Sequence, residues 1–199
     1  MLIHVPLLLW QPDHVLAAYT TQGERGITNE SVWFFPLSAL GVLGETEAVF
    51  APAGAPPWAG VVAVALQALA LVGLLALAWR MRAAGIDSAL VLAALAPVVF
   101  LLTNRIFSPQ FLLIVTAGLA FAGALAKLGR REQLTLGTLL MGATFANAFV
   151  YPFTPPVEPR SWQPYSAAVF ALSFAAVGVI LLRFVLRAKR WKKRDAPDS

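Results

Sequence analysis

Five stretches of this chain, at about 59–79, 88–103, 107–126, 133–151 and 165–186, are apolar almost throughout. A bilayer core about 30 Å thick is crossed by about 20 apolar residues in a helix. In lipid every backbone N–H and C=O must also find its partner within the protein, which a helix achieves segment by segment. These runs therefore predict an all-α, polytopic integral membrane protein with about five transmembrane helices. Composition agrees. Hydrophobic residues make up 59% and charged residues 13%, with a mean hydropathy of +0.73, whereas a soluble domain is about one quarter charged. Asp87 with Ser88, Ser108 with Pro109, and Pro164 mark helix starts, since small polar residues cap helices and proline suits their first turn. The run VWFFPLSALGVLG at 32–44 is broken by Pro36 and two glycines. At that length it predicts a short interfacial or re-entrant helix rather than a crossing.

The chain divides into an N-terminal part (1–57), a helix bundle (58–187) and a basic tail (188–199). MLIHVPLLLW, at the start, has no basic head and no small-residue cleavage site, and it is too short to span. It reads as the end of a hydrophobic helix, so the chain is expected to be a fragment whose earlier part is missing. A partner chain supplying further helices is the alternative completion.

Orientation follows from the cations. Of the 15 Lys and Arg residues, all but Arg25, Arg105 and Arg160 lie after the first and third runs or at the end of and beyond the fifth. By the positive-inside rule those loops and the tail are cytoplasmic. Residues 13–57, 104–107 and 152–164 then face outside, with Asp13, Glu24, Glu30, Glu45, Glu47 and Glu158. The net charge of +5 is thereby read as topology and as attraction to membrane lipids, and nucleic acid is not an expected partner.

Several chemistries are excluded. There is no cysteine, hence no disulfide, thiolate metal site or cysteine nucleophile. His4 and His14 without a carboxylate cluster do not make a metal site, and no cofactor is expected. No series of ionisable residues runs through the spans, which argues against a proton-coupled pump. Gln67 and Asn147 are the notable polar residues there, and interhelical hydrogen bonding accounts for them.

Two outward stretches carry what chemistry remains. In NRIFSPQFLL (104–113), Ser108 is the expected N-cap and Pro109 the first helical residue. A helix end facing outward offers unpaired N–H groups and a partial positive charge to a phosphate. Arg105 adds a guanidinium able to grip the same phosphate bidentately, while Gln110 and Asn104 suit sugar hydroxyls. A capped helix with a snorkelling arginine is the plainer reading of the same residues. In ERGITNES (24–31), Glu24, Arg25, Asn29 and Glu30 stand in a polar loop, Gly26 permits a turn, and Ser31 is placed to cap the next helix. A solvated loop needs no function, and spacing alone makes neither glutamate a catalytic base. Outer aromatics, Trp33, Phe34, Phe35, Trp58, Tyr151, Trp162 and Tyr165, fit an interfacial belt.

The order of RGxxxES followed, spans later, by a basic residue and SPQ at a helix start resembles the C-terminal half of a bacterial membrane glycosyltransferase family. This is the polyprenol-phosphate-mannose-dependent alpha-1,2-mannosyltransferase-like family (glycosyltransferase family 87, GT-C superfamily). The matching residues are Arg25, Gly26, Glu30 and Ser31, then Arg105, Phe107, Ser108, Pro109 and Gln110, and the resemblance covers about residues 15–125. Thr21-Gln22 stands where the family has Tyr-His, and Thr28 where it has a glutamine. The family's catalytic aspartate, in the first outer loop, has no counterpart here. The resemblance implies a hexosyltransferase in the bacterial cytoplasmic membrane. It would transfer a hexose, mannose by analogy, from a polyprenyl-phosphate donor to an extracytoplasmic glycan or glycolipid acceptor. Arg105, Ser108, Gln110, Arg25 and Glu30 are then the substrate-binding residues, and the catalytic residue is unassigned. A non-enzymatic transporter or lipid-handling protein, or an inactive truncated remnant, are the alternatives.

Overall fold

The computed structural model describes residues 13, 17, 26–28, 30–43, 54–81, 86–150 and 163–194. Every regular element longer than a turn among them is helical: α1 (Phe34–Ala39), α2 (Pro57–Arg80), α3 (Ile86–Thr103), α4 (Phe111–Leu125), α5 (Arg130–Val150) and α6 (Gln163–Arg194). α2, α5 and the Gln163–Leu186 part of α6 are long and apolar enough to cross a membrane, and the chain is a helical membrane protein on that ground. The apolar helices of the two remaining runs, Ser88–Thr103 and Phe111–Leu125, are shorter. At 15 residues, α4 rises about 23 Å, less than the hydrocarbon thickness. Three spans, rather than the expected five, therefore meet the length and composition of a crossing.

α2 starts where Pro56-Pro57 fixes an extended residue followed by one suited to the first turn. It buries only Ala59 and Ala63, leaving Val61, Leu69, Val72, Leu75 and Trp79 exposed. A face so apolar is stable in lipid and unstable in water. The remaining helices form the core, in which Leu95, Val98, Leu102, Val115, Leu119, Ala143, Ala176 and Ile180 are fully enclosed. α3 lies against α4 and α5 against α6, with α4 and α6 joining the pairs. The α3–α4 contact depends on Gly118. A Cβ there would sit 2.6 Å from Val98 Cγ2 and 3.5 Å from the Ala94 carbonyl, so only glycine permits this approach.

Connections between helices define two ends. At one end, α4 closes on Lys127, whose φ is +50°. The Leu128 N–H reaches the Gly123 carbonyl (3.5 Å) and the Lys127 N–H that of Ala124 (3.0 Å), the paired bonds of a Schellman stop. α5 then begins with the Glu132 carboxylate accepting the Gly129 N–H at 2.6 Å, half of a capping box. Arg183 of α6 lies 3.4 Å from the same carboxylate. Arg130, Arg131, Lys127 and Arg183 thus gather at one end, and the loop of Arg105 lies at the other.

Three boundaries differ from the sequence reading. α6 continues without a break to Arg194, so the basic residues from Arg187 prolong the last helix. α4 starts at Phe111, after a turn in which the N–H groups of Phe111, Leu112 and Leu113 bond the carbonyls of Ser108, Pro109 and Gln110. In the run 32–44, α1 spans only Phe34–Ala39, because Gly41 at φ +66° turns the chain out of the helix.

Candidate functional site

ERGITNES and NRIFSPQFLL, far apart in sequence, meet in space. The Thr28 N–H donates to the Arg105 carbonyl at 3.0 Å. The Phe107 N–H donates to Thr28 Oγ1 at 3.3 Å, and that hydroxyl reaches the Phe107 carbonyl at 3.5 Å. One threonine therefore satisfies backbone groups on both sides of Ile106. Asn104 Oδ1 accepts the Ile106 N–H at 3.1 Å, a local turn that sets the path of the loop.

Below these loops lies an aromatic floor. Phe107, buried, stands 4.9 Å from Phe170 and 6.2 Å from Phe111, and Phe35 stands 6.3 Å from Phe170. All three are edge-on contacts of the kind aromatic pairs prefer. Phe170 of α6 thus packs against both the Arg105 loop, through Phe107, and α1, through Phe35. The loop is held laterally by Asn147 of α5, whose Nδ2 donates to the Pro109 carbonyl at 3.2 Å.

The C-terminus of α3 enters this assembly with carbonyls that no later helical turn can satisfy. Gln67 Nε2 of α2 donates to the Phe100 carbonyl at 2.7 Å. Trp33 Nε1 donates to the Thr103 carbonyl, also at 2.7 Å, and the Asn104 N–H to that of Leu101 at 3.3 Å. Gln67 and Asn147, the notable polar residues of the spans, both donate to backbone carbonyls. Trp33, Phe34 and Phe35 likewise belong to this packed structure, whereas Trp58 and Tyr165 remain exposed.

Arg105 is half-buried and crosses to the first turn of α2, where its Nη1 would lie 3.5 Å from a Cβ at Gly60. It follows the C-terminus of α3 directly, a favourable place for a cation. Gln110 is exposed and Ser108 half-buried. Glu30 is 1% exposed and Ser31 fully enclosed, so the carboxylate belongs to the interior of the loop assembly. Arg25, Glu24, Asn29, His4, His14, Arg160, Tyr151 and Trp162 lie outside the described residues.

Two expectations about capping change. Ser108 and Ser31 both act through their carbonyls, which accept the N–H groups of Phe111 (2.8 Å) and Phe34 (3.1 Å). Neither α1 nor α4 has a side-chain N-cap bond, and Ser31 Oγ has no hydrogen-bond partner. In each case an i→i+3 turn precedes the helix and takes over the role of the cap. The first three amides of α4 are consequently satisfied within the chain, so the helix end expected to receive a phosphate offers none of them to it. Thr28, which joins the two stretches, and Trp33, which ties the segment before α1 to the end of α3, gave no sign of these contacts in the sequence, where Trp33 fitted an interfacial belt.

Comparison of the chain with protein-family models, with curated proteins and with solved structures finds no match.

Proposed function

We propose that this chain is the donor-holding, C-terminal part of a membrane hexosyltransferase of the GT-C type. In this reading it acts at the outer face of a bacterial cytoplasmic membrane, with the basic end of the bundle in the cytoplasm. The donor is a polyprenyl-phosphate hexose, mannose on the sequence resemblance, and the acceptor is a glycan or glycolipid. One observation carries the reading: the motif around Thr28 and the motif around Arg105 are hydrogen-bonded into a single loop assembly, at the bundle end away from the basic residues.

The chemistry divides between this assembly and groups outside the described residues. An acceptor hydroxyl oxygen attacks the anomeric carbon, the bond from that carbon to the phosphate oxygen breaks, and the phosphate takes the electron pair. Negative charge grows on the phosphate as this happens, and a guanidinium held in place for it stabilises the transition state more than the ground state. Arg105 fills that role. Ser108 and Gln110 border it and are available to phosphate or sugar hydroxyls, while Glu30 and Arg25 organise the neighbouring loop. The base that removes the acceptor proton is not among these residues. A transport function has less support, because Gln67 and Asn147 are both engaged by backbone carbonyls and so do not line a path.

The test is binding of unlabelled polyprenyl phosphate by the full chain in nanodiscs, with Arg105→Ala as the variant. A charge-assisted phosphate contact contributes about 1.5–3 kcal/mol, so affinity should fall about tenfold to a hundredfold, and Arg105→Lys should recover part of it. Equal affinity for wild type and Arg105→Ala would remove the phosphate role and with it this reading.

A further inference from the structure

The opposite end of the bundle presents a second, independent arrangement. The turn between α4 and α5 places three cations within five residues, Lys127, Arg130 and Arg131, and all three are exposed. The turn is held by its own backbone, through the Schellman bonds from Lys127 and Leu128 and the Glu132 cap on Gly129. Glu132, at the head of α5, accepts the Gly129 N–H and lies against Arg183. Lys127 also holds a left-handed backbone, φ +50°, at a position where glycine is the unstrained choice. Local strain kept at a charged surface turn points toward a use for the side chain.

Immediately beyond the cations the surface becomes apolar. Leu134, Met141 and Phe145 are 64%, 75% and 68% exposed, and with Thr138 they recur at the three- and four-residue spacing that lines one face of a helix. Phe121 of α4 is exposed on the other side of the turn. A fixed cationic turn at the head of a lipid-facing apolar stripe matches a molecule with an anionic head and hydrocarbon tails.

We infer that the Lys127–Arg131 turn is a binding site for an anionic diacyl phospholipid. The cations hold its phosphodiester, and its acyl chains lie along the Leu134–Met141–Phe145 face of α5. Because the backbone of the turn is already closed by its own hydrogen bonds, less ordering entropy opposes the contact than on a diffuse basic surface. The site does not depend on the sugar-transfer reading, since it uses no residue of the Arg105 loop.

The experiment titrates the detergent-solubilised full chain with short-chain phosphatidylglycerol, phosphatidylcholine or inorganic phosphate and follows thermal stability. Phosphatidylglycerol should stabilise the chain, while phosphatidylcholine and inorganic phosphate should not at the same concentration. Replacing all three cations, Lys127→Gln with Arg130→Gln and Arg131→Gln, should weaken the phosphatidylglycerol effect by about tenfold or more in concentration, given the attraction each cation has for an anionic lipid surface. The single change Arg131→Gln, on an exposed side chain, should give a smaller loss and guards against misfolding of the triple variant. Neutralising Arg187, Lys189, Arg190, Lys192, Lys193 and Arg194 instead should leave the effect in place. The inference is overturned if the triple and single variants respond like wild type, if the effect vanishes only with the neutralised C-terminal residues, if phosphatidylcholine is as effective, or if inorganic phosphate alone reproduces the shift.

Discussion

The two ends of this bundle are closed in opposite ways. At the basic end the hydrogen bonds that close the turn are local, Gly129 to Glu132 over three residues and Gln133 to Leu128 over five, and the far-reaching contact is the partly exposed Arg183–Glu132 ion pair. At the Arg105 end the hydrogen bonds themselves reach far along the chain, 79 residues from Thr28 to Phe107, 70 from Trp33 to Thr103 and 38 from Asn147 to Pro109. A locally closed turn forms as soon as its helices do. A loop assembly joined over such distances exists only when the whole bundle is in place. The first is suited to a fixed surface feature, the second to a site whose parts come from several elements.

The largest perturbation should affect both ends together. α3 and α4 connect them, and Gly118 sets their approach, so Gly118→Leu should cost about 3 kcal/mol or more through overpacking. Loss of the folded, monodisperse chain in size-exclusion chromatography would register this. Retention of full stability would show that the α3–α4 contact is looser than the 2.6 Å clearance to Val98 requires.

Changes confined to the far-reaching bonds should separate the ends. Trp33→Phe leaves the part-buried Thr103 carbonyl without its donor, a penalty of about 1 kcal/mol, and Thr28→Val removes the hydroxyl shared with Phe107. In each variant hydrogen exchange should rise at 26–37 and 104–110 and stay unchanged at 123–133. Equal acceleration at both ends would contradict their independence.

At the basic end the effects are smaller and of mixed sign. Lys127→Gly relieves a left-handed non-glycine residue and should raise stability by about 1 kcal/mol, measured in zwitterionic detergent so that anionic lipid plays no part. Glu132→Gln weakens a partly exposed ion pair and a cap, and should lower stability by less than about 1 kcal/mol.

The same contrast explains how much of the molecule could be read from its residues. Most helix positions were legible to within a few residues because each follows from a local apolar run and a local stop, the exception being α6, which runs on through the basic residues to Arg194. The run expected at 59–79 became Pro57–Arg80, and that expected at 133–151 became Arg130–Val150. The start of α4 was legible only in part. Ser108 and Pro109 have the chemistry of a helix start, but the turn they form bonds through carbonyls, which residue types do not specify. That Thr28 would seat itself on the Arg105 loop was not legible, since a threonine in a polar loop has many partners open to it. Gln67 shows the same limit: its type announced a hydrogen bond, while the partner, a helix-terminal carbonyl of α3, is fixed only by packing.

Because the chain contains no cysteine, a single introduced thiol reports on one position only. The most direct test is the labelling rate of Gln110→Cys by a membrane-impermeant maleimide in sealed, right-side-out vesicles, with and without polyprenyl phosphate. The thiol is expected to react from the outside and to be slowed severalfold by the lipid, while Arg131→Cys in parallel vesicles stays unlabelled until they are opened. Labelling of Arg131→Cys from the outside with Gln110→Cys protected, or a Gln110→Cys rate that polyprenyl phosphate does not change, would contradict an outward-facing phosphate site at the Arg105 loop.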